Sequence, residues 1–169
     1  MSVEPAARFN LIDHHGKNVS EVDYAGHWLL VYFGFTHCKV VCPRSMAKLS
    51  QVLDSLGGDA DRLTPLYVTV DPARDTPAVM RAYIEANCPR FTGLTGSTEQ
   101  IDAAKRAFRV FAQRRDDPDD PDGYDVPHSA VAYLMGPDGG YRDHFAESVA
   151  QDVVRGRIVG ALAANEVSR

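Results

Sequence analysis

Residues 28–43 read WLLVYFGFTHCKVVCP, an apolar run that ends in two cysteines, Cys38 and Cys42, and a proline. Trp28 to Phe35 is continuously apolar and β-prone, as a strand covered on both faces should be. Pro43 suits the first position of a helix, which puts Cys42 at the N-cap. Met46, Leu49, Val52, Leu53 and Leu56 then recur at helical spacing until Gly57-Gly58 stops them. Cys38 therefore falls just beyond a buried strand, and in open α/β sheets this carboxyl end is where ligands bind. Unpaired N–H groups and the positive end of the helix dipole favour thiolate there, and Lys39 adds positive charge. Thiolate is both nucleophile and soft-metal ligand, so the location favours chemistry over the blander reading of two small buried hydrophobes.

Working outward, Phe9 to Val19 has the turn chemistry of a small hairpin with Gly16 at the bend. Leu66 to Val70 is a second buried strand. Thr76 caps a helix opened by Pro77 and carried by Val79, Met80, Tyr83 and Ile84. A shorter helix covers Thr98 to Phe108, and a polar loop runs from Arg114 to Pro127. Strands Ser129 to Met135 and Tyr141 to Phe145 flank the turn Gly136-Pro137-Asp138-Gly139-Gly140, and a helix from Val149 to Ala163 closes the chain. Strands alternating with helices, then a terminal hairpin and helix, give the fold class α/β: a thioredoxin-like fold, a central mixed sheet flanked by helices with an N-terminal hairpin extension. With no internal repeat or linker, residues 1–169 read as a single domain.

The chain has 169 residues, 44% hydrophobic and 24% charged, with a net charge of −5. Nucleic acid is excluded as a partner, since phosphate binding needs clustered Lys and Arg. Three cysteines are too few for a disulfide scaffold, so the pair needs a local explanation. No apolar segment approaches the roughly 18 residues that span a membrane. The stretch from Arg114 to Gly123 resembles a calcium loop, but Ser129 falls where a twelfth-position Glu is required, so it reads as a solvated acidic loop.

A thioredoxin-like oxidoreductase separates its cysteines by two residues, and this sequence has three between them. The longer loop still closes a disulfide, but it also lets both sulfurs point at one ion. Two thiolates alone bind Cu(I), and an added imidazole also admits Cu(II). Of the six histidines, His14 and His15 sit in a hairpin turn and His27 and His144 at strand edges, where solvent is the default. His37 neighbours Cys38, but an extended segment points neighbouring side chains apart. His128 follows Val126-Pro127 and opens a buried strand; in thioredoxin-like folds that proline loop faces the thiols, and a cis Val126–Pro127 bond is expected in it. Asp71, Arg74 and Asp75 read as a cluster that fixes a loop and caps a helix, and Cys88 as an unpaired structural cysteine.

GFTHC-x3-CP, the run Val70-Asp71-Pro72-Ala73-Arg74-Asp75-Thr76-Pro77, Gly93-Leu94-Thr95-Gly96, His128-Ser129 and Tyr133 to Gly139 occur in one order. Together they resemble the Sco/SenC copper chaperones, from about Phe9 to Leu162. The resemblance implies copper, Cu(I) and Cu(II), bound by Cys38, Cys42 and His128. It implies a metallochaperone, not an enzyme with ordinary turnover, that delivers copper to, or prepares, the binuclear copper site of cytochrome c oxidase. The implied partner is the oxidase's copper-bearing subunit or another copper chaperone. The alternative is a thiol-disulfide oxidoreductase in which Cys38 and Cys42 act catalytically on the partner's cysteines. Lys39 and Val40 stand where the family commonly has Pro and Asp, and Pro127 where Asp commonly precedes the histidine. Family members are usually tethered to a membrane facing the periplasm or the mitochondrial intermembrane space. With no tether evident, the chain is expected to be a soluble portion or relative on the extracytoplasmic, periplasmic side of the inner membrane.

Overall fold

The computed structural model describes residues 5–38, 41–119, 123–126, 128 and 130–167. Strands β1 (Asn10–Asp13) and β2 (Asn18–Ser20) form the expected hairpin, and Gly16 takes φ 84° at its bend, a conformation open to glycine at little cost. Strand β3 (Trp28–Gly34) leads to helix α1 (Val41–Ser55), and β4 (Leu63–Thr69) to α2 (Pro77–Asn87). Strand β5 (Thr92–Thr95) and α3 (Thr98–Phe108) follow. A two-residue pair, β6 (Arg115–Asp116) and β7 (Tyr124–Asp125), interrupts the polar loop. Strands β8 (Val131–Met135) and β9 (Tyr141–Ala146) then precede α4 (Gln151–Val167).

Seven strands make one mixed sheet in the order β2-β1-β5-β4-β3-β8-β9, with helices on both faces, the thioredoxin-like arrangement. Strands β3, β4 and β5 run parallel, while β8 is antiparallel to β3. The apolar run of β3 divides by period two between the faces. Leu30 and Tyr32 pack with Met46, Leu49 and Leu53 of α1, Met80 and Ile84 of α2, and Val154 and Ile158 of α4. Leu29, Val31 and Phe33 pack on the other side with Ile101, Ala104 and Phe108 of α3. Burial on both sides is why this strand has no polar alternation.

Three local readings change. Helix α1 begins at Val41, so Cys42 lies in its first turn and not at the cap. Strand β4 starts at Leu63 and includes Pro65, which is tolerated because pairing with β5 begins only at Leu66. Strand β5 is too short to carry a periodic signal, and a glycine at its second residue weakens it further. The cap of α2 is as the sequence predicts: the Thr76 hydroxyl accepts from Val79 N–H at 3.3 Å. Among the described residues no helix is long and apolar enough to cross a membrane.

Candidate metal centre

Topology gathers the centre. Parallel β3 and β4 both end at one edge of the sheet, and antiparallel β8 begins there. Pairs Leu29–Met135 through Tyr32–Ala132 set the β3–β8 register. The chain that enters β8 therefore passes the end of β3, where His128 meets Phe35. A histidine remote in sequence thus arrives beside the cysteine loop.

The chain leaves β3 at Gly34, whose carbonyl accepts from Val70 N–H at 2.8 Å, and then turns tightly. Cys38 N–H donates to Phe35 O at 3.1 Å, closing the turn Phe35-Thr36-His37-Cys38. Cys38 is half-buried and touches the cores on both sides of the sheet. The turn is clamped from below: Asp75, wholly buried, accepts from Thr36 N–H at 3.0 Å and from Thr36 Oγ1 at 2.5 Å. With the Thr36 hydroxyl proton given to Asp75, the 3.2 Å contact between Thr36 Oγ1 and His37 Nδ1 is supplied by a proton on His37. His37 is held within its own turn.

His128 is half-buried and forms a bridge with Ala112. Its Nδ1 lies 3.1 Å from Val126 O. A carbonyl only accepts, so Nδ1 carries the proton and Nε2 carries the lone pair that a metal needs. Its ring meets that of Phe35 edge-on, with centroids 5.5 Å apart. The Cys38 turn and His128 are therefore in one place. The Cys42 side chain of the expected ligand set, Lys39, Val40 and Pro127, with the expected cis Val126–Pro127 bond, lie outside the described residues. Among the described residues no group of three or more His, Cys, Asp or Glu side chains is arranged to hold a metal.

The other candidates separate. His14 is not simply solvated, because its Nδ1 accepts from Gly93 N–H at 2.9 Å, tying the first hairpin to β5; burial lowers its pKa below the usual value. His27 is exposed at the start of β3, and His144 on β9 is bonded to Tyr141. Cys88 caps α2 as a free, buried thiol, and burial pushes its pKa up to about 12. Asp71 and Arg74 form a buried ion pair at 2.5 Å. Reasoning from sequence missed Tyr124, whose hydroxyl donates to Asp71 Oδ1 at 3.0 Å and whose ring lies between the guanidinium groups of Arg74 and Arg114, at 3.9 and 3.7 Å. Its position in an irregular polar loop gave no signal.

The sequence profile described as SCO1/SenC matches residues 3–163. The human protein named SCO1 homolog, mitochondrial, is 40% identical over 157 residues, covering 92% of this chain and 50% of that protein. The structure of Arabidopsis thaliana ScoI with copper bound superimposes with a TM-score of 0.88 at 32% identity, covering 94% of this chain and 98% of that one. Yeast Sco1 with copper bound superimposes with a TM-score of 0.85 at 31% identity, covering 95% and 89%. The chain spans about half the length of the human protein it matches. A profile match over nearly the whole chain, on a fold shared with copper-bound structures, shows that this protein belongs to the SCO1/SenC family.

Proposed function

We propose that the chain is a copper metallochaperone that delivers copper to, or prepares, the binuclear copper site of cytochrome c oxidase. Copper is its cargo, held by the thiolates of Cys38 and Cys42 and by Nε2 of His128. The observation that carries this reading is the edge-on packing of His128 on Phe35, three residues from Cys38, in a chain whose relatives have been solved with copper bound. The donor set fits the ion: two soft thiolates suffice for Cu(I), and a neutral imidazole extends the site to Cu(II). Partial exposure of Cys38 and His128 leaves the metal open to a partner's cysteines, which take Cu(I) by ligand exchange with no net redox change. The copper-bound relatives favour this over dithiol exchange. The partner is the oxidase's copper-bearing subunit or another copper chaperone, and the setting is extracytoplasmic, on the periplasmic side of the inner membrane.

Titration of the reduced protein tests the reading. About one copper ion per chain is expected, with an intense thiolate-to-copper charge-transfer band for Cu(II). Stoichiometric tight copper retained by a Cys38→Ala/Cys42→Ala variant would falsify it.

A further inference from the structure

The turn after β4 carries Asp71, Arg74 and Asp75, side chains that copper ligation does not use. Asp75 has no exposed surface, and among the described residues it has no cationic partner. Its carboxylate instead accepts three neutral donors, Thr36 N–H at 3.0 Å, Thr36 Oγ1 at 2.5 Å and Thr69 Oγ1 at 2.7 Å. Burial holds its pKa above the ordinary value, with the hydrogen bonds from Thr36 and Thr69 acting the other way. A carboxylate this buried is costly unless it is hydrogen-bonded, and these three bonds offset that cost. The Thr69 bond anchors the carboxylate to the last residue of β4, and the two Thr36 bonds reach past the Gly34–Val70 hydrogen bond that secures the strand ends. They hold the first residues beyond it, two positions before Cys38.

The same turn reaches the other side of the centre. Asp71 accepts from Tyr124 OH, Arg74 Nη1 donates to Tyr124 O at 3.4 Å, and the Arg74 guanidinium stacks on the Tyr124 ring. Two residues on, Val126 O accepts the His128 Nδ1 proton. We propose that the Asp71–Asp75 turn is the positioning element of the metal centre. Asp75 sets the Cys38 loop and the Asp71–Tyr124 bond sets the approach of His128, so one turn, through its two buried carboxylates, fixes the spacing between thiolate and imidazole. This rests on reading Cys38 and His128 as copper ligands.

The test compares Asp75→Ala, Asp75→Asn and Tyr124→Phe in the full chain. An asparagine amide oxygen still accepts from Thr36 N–H and Thr69, and its amide nitrogen donates to Thr36 Oγ1, whose proton rotates away. The geometry survives loss of the charge. Alanine leaves the Thr36 amide without its acceptor. Amide hydrogen exchange at Thr36 to Cys38, measured without metal, reads loop order; copper titration then reads affinity in both oxidation states. Asp75→Ala is expected to speed exchange there and to weaken both Cu(I) and Cu(II) by about tenfold or more, and Asp75→Asn to restore both. Tyr124→Phe should leave Cys38 exchange and Cu(I) affinity unchanged while weakening Cu(II) by about tenfold and shifting its charge-transfer band.

A folded Asp75→Ala protein with unchanged loop exchange and copper affinity overturns the proposal. So does equal loss in Asp75→Ala and Asp75→Asn, which would make charge and not geometry the agent. If Asp75→Ala does not fold, Thr36→Val removes the hydroxyl arm alone; a smaller change in the same direction supports the proposal, and no change sinks it. Should the wild-type protein bind no copper, the ligand reading fails, and the exchange comparison still decides whether the turn positions the loop.

Discussion

The ring of Phe35 meets the imidazole of His128 edge-on, with centroids 5.5 Å apart and 76° between their planes. The two residues are remote in sequence, yet Phe35 belongs to the Cys38 turn and His128 opens the approach to β8. An edge-to-face contact fixes ring orientation as well as position.

His128→Ala is accordingly expected to weaken Cu(II) at least about tenfold more than Cu(I), because two thiolates satisfy Cu(I) without an imidazole. Phe35→Leu, which keeps apolar bulk but loses the ring contact, should move Cu(II) affinity in the same direction by less. Competition titrations in each oxidation state measure both. Equal retention of Cu(I) and Cu(II) by His128→Ala would mean that another group supplies the third ligand.

Cys88 is expected to stay out of the redox chemistry. Its thiol is buried beside Met80, Ile84 and Phe91, and a pKa of about 12 leaves almost no thiolate at pH 8. With metal absent and an oxidant added, Cys38 and Cys42 should join while Cys88 is neither bridged nor alkylated in the native protein. Peptide mapping that found Cys88 linked to either of them would contradict the fold position described above.

Asp138 gives the β8–β9 turn a pH dependence of known sign. Its carboxylate accepts from Gly140 N–H at 2.9 Å and pairs with Arg142, and both lower its pKa below the usual 3.8. A lowered carboxyl pKa contributes stability above 3.8 that is lost as pH falls through the folded value. Asp138→Asn should therefore melt slightly below wild type at pH 7, on the order of 1–2 °C for so exposed a pair. The gap should close in thermal melts at pH 3 and below. A gap that widened on acidification would show that the Asp138 charge is not stabilising.

How much of this was legible in the sequence depended on range. Thr76-Pro77 announced the start of α2, because a capping hydroxyl and a proline in the first turn act within a few residues of themselves. Phe9 to Val19 announced the first hairpin for the same reason. Trp28 to Phe35 announced a strand buried on both faces. Strand β5 was not announced: four residues with a glycine among them carry too little pattern, and pairing with β4 and β1 makes them a strand.

By itself the sequence determined the local elements, the family motifs and their order, since each is written in contiguous residues. The tertiary structure decided which distant groups meet. It brought His128 rather than His14 beside the Cys38 turn, because β8 runs antiparallel to β3 in a register that returns it to the carboxyl end of that strand. It gave His14 to Gly93 and set Asp75 beneath Thr36, 39 residues away in the chain. No local propensity encodes such pairings. They follow from burying both faces of one sheet, which leaves few places where a polar side chain finds its partner.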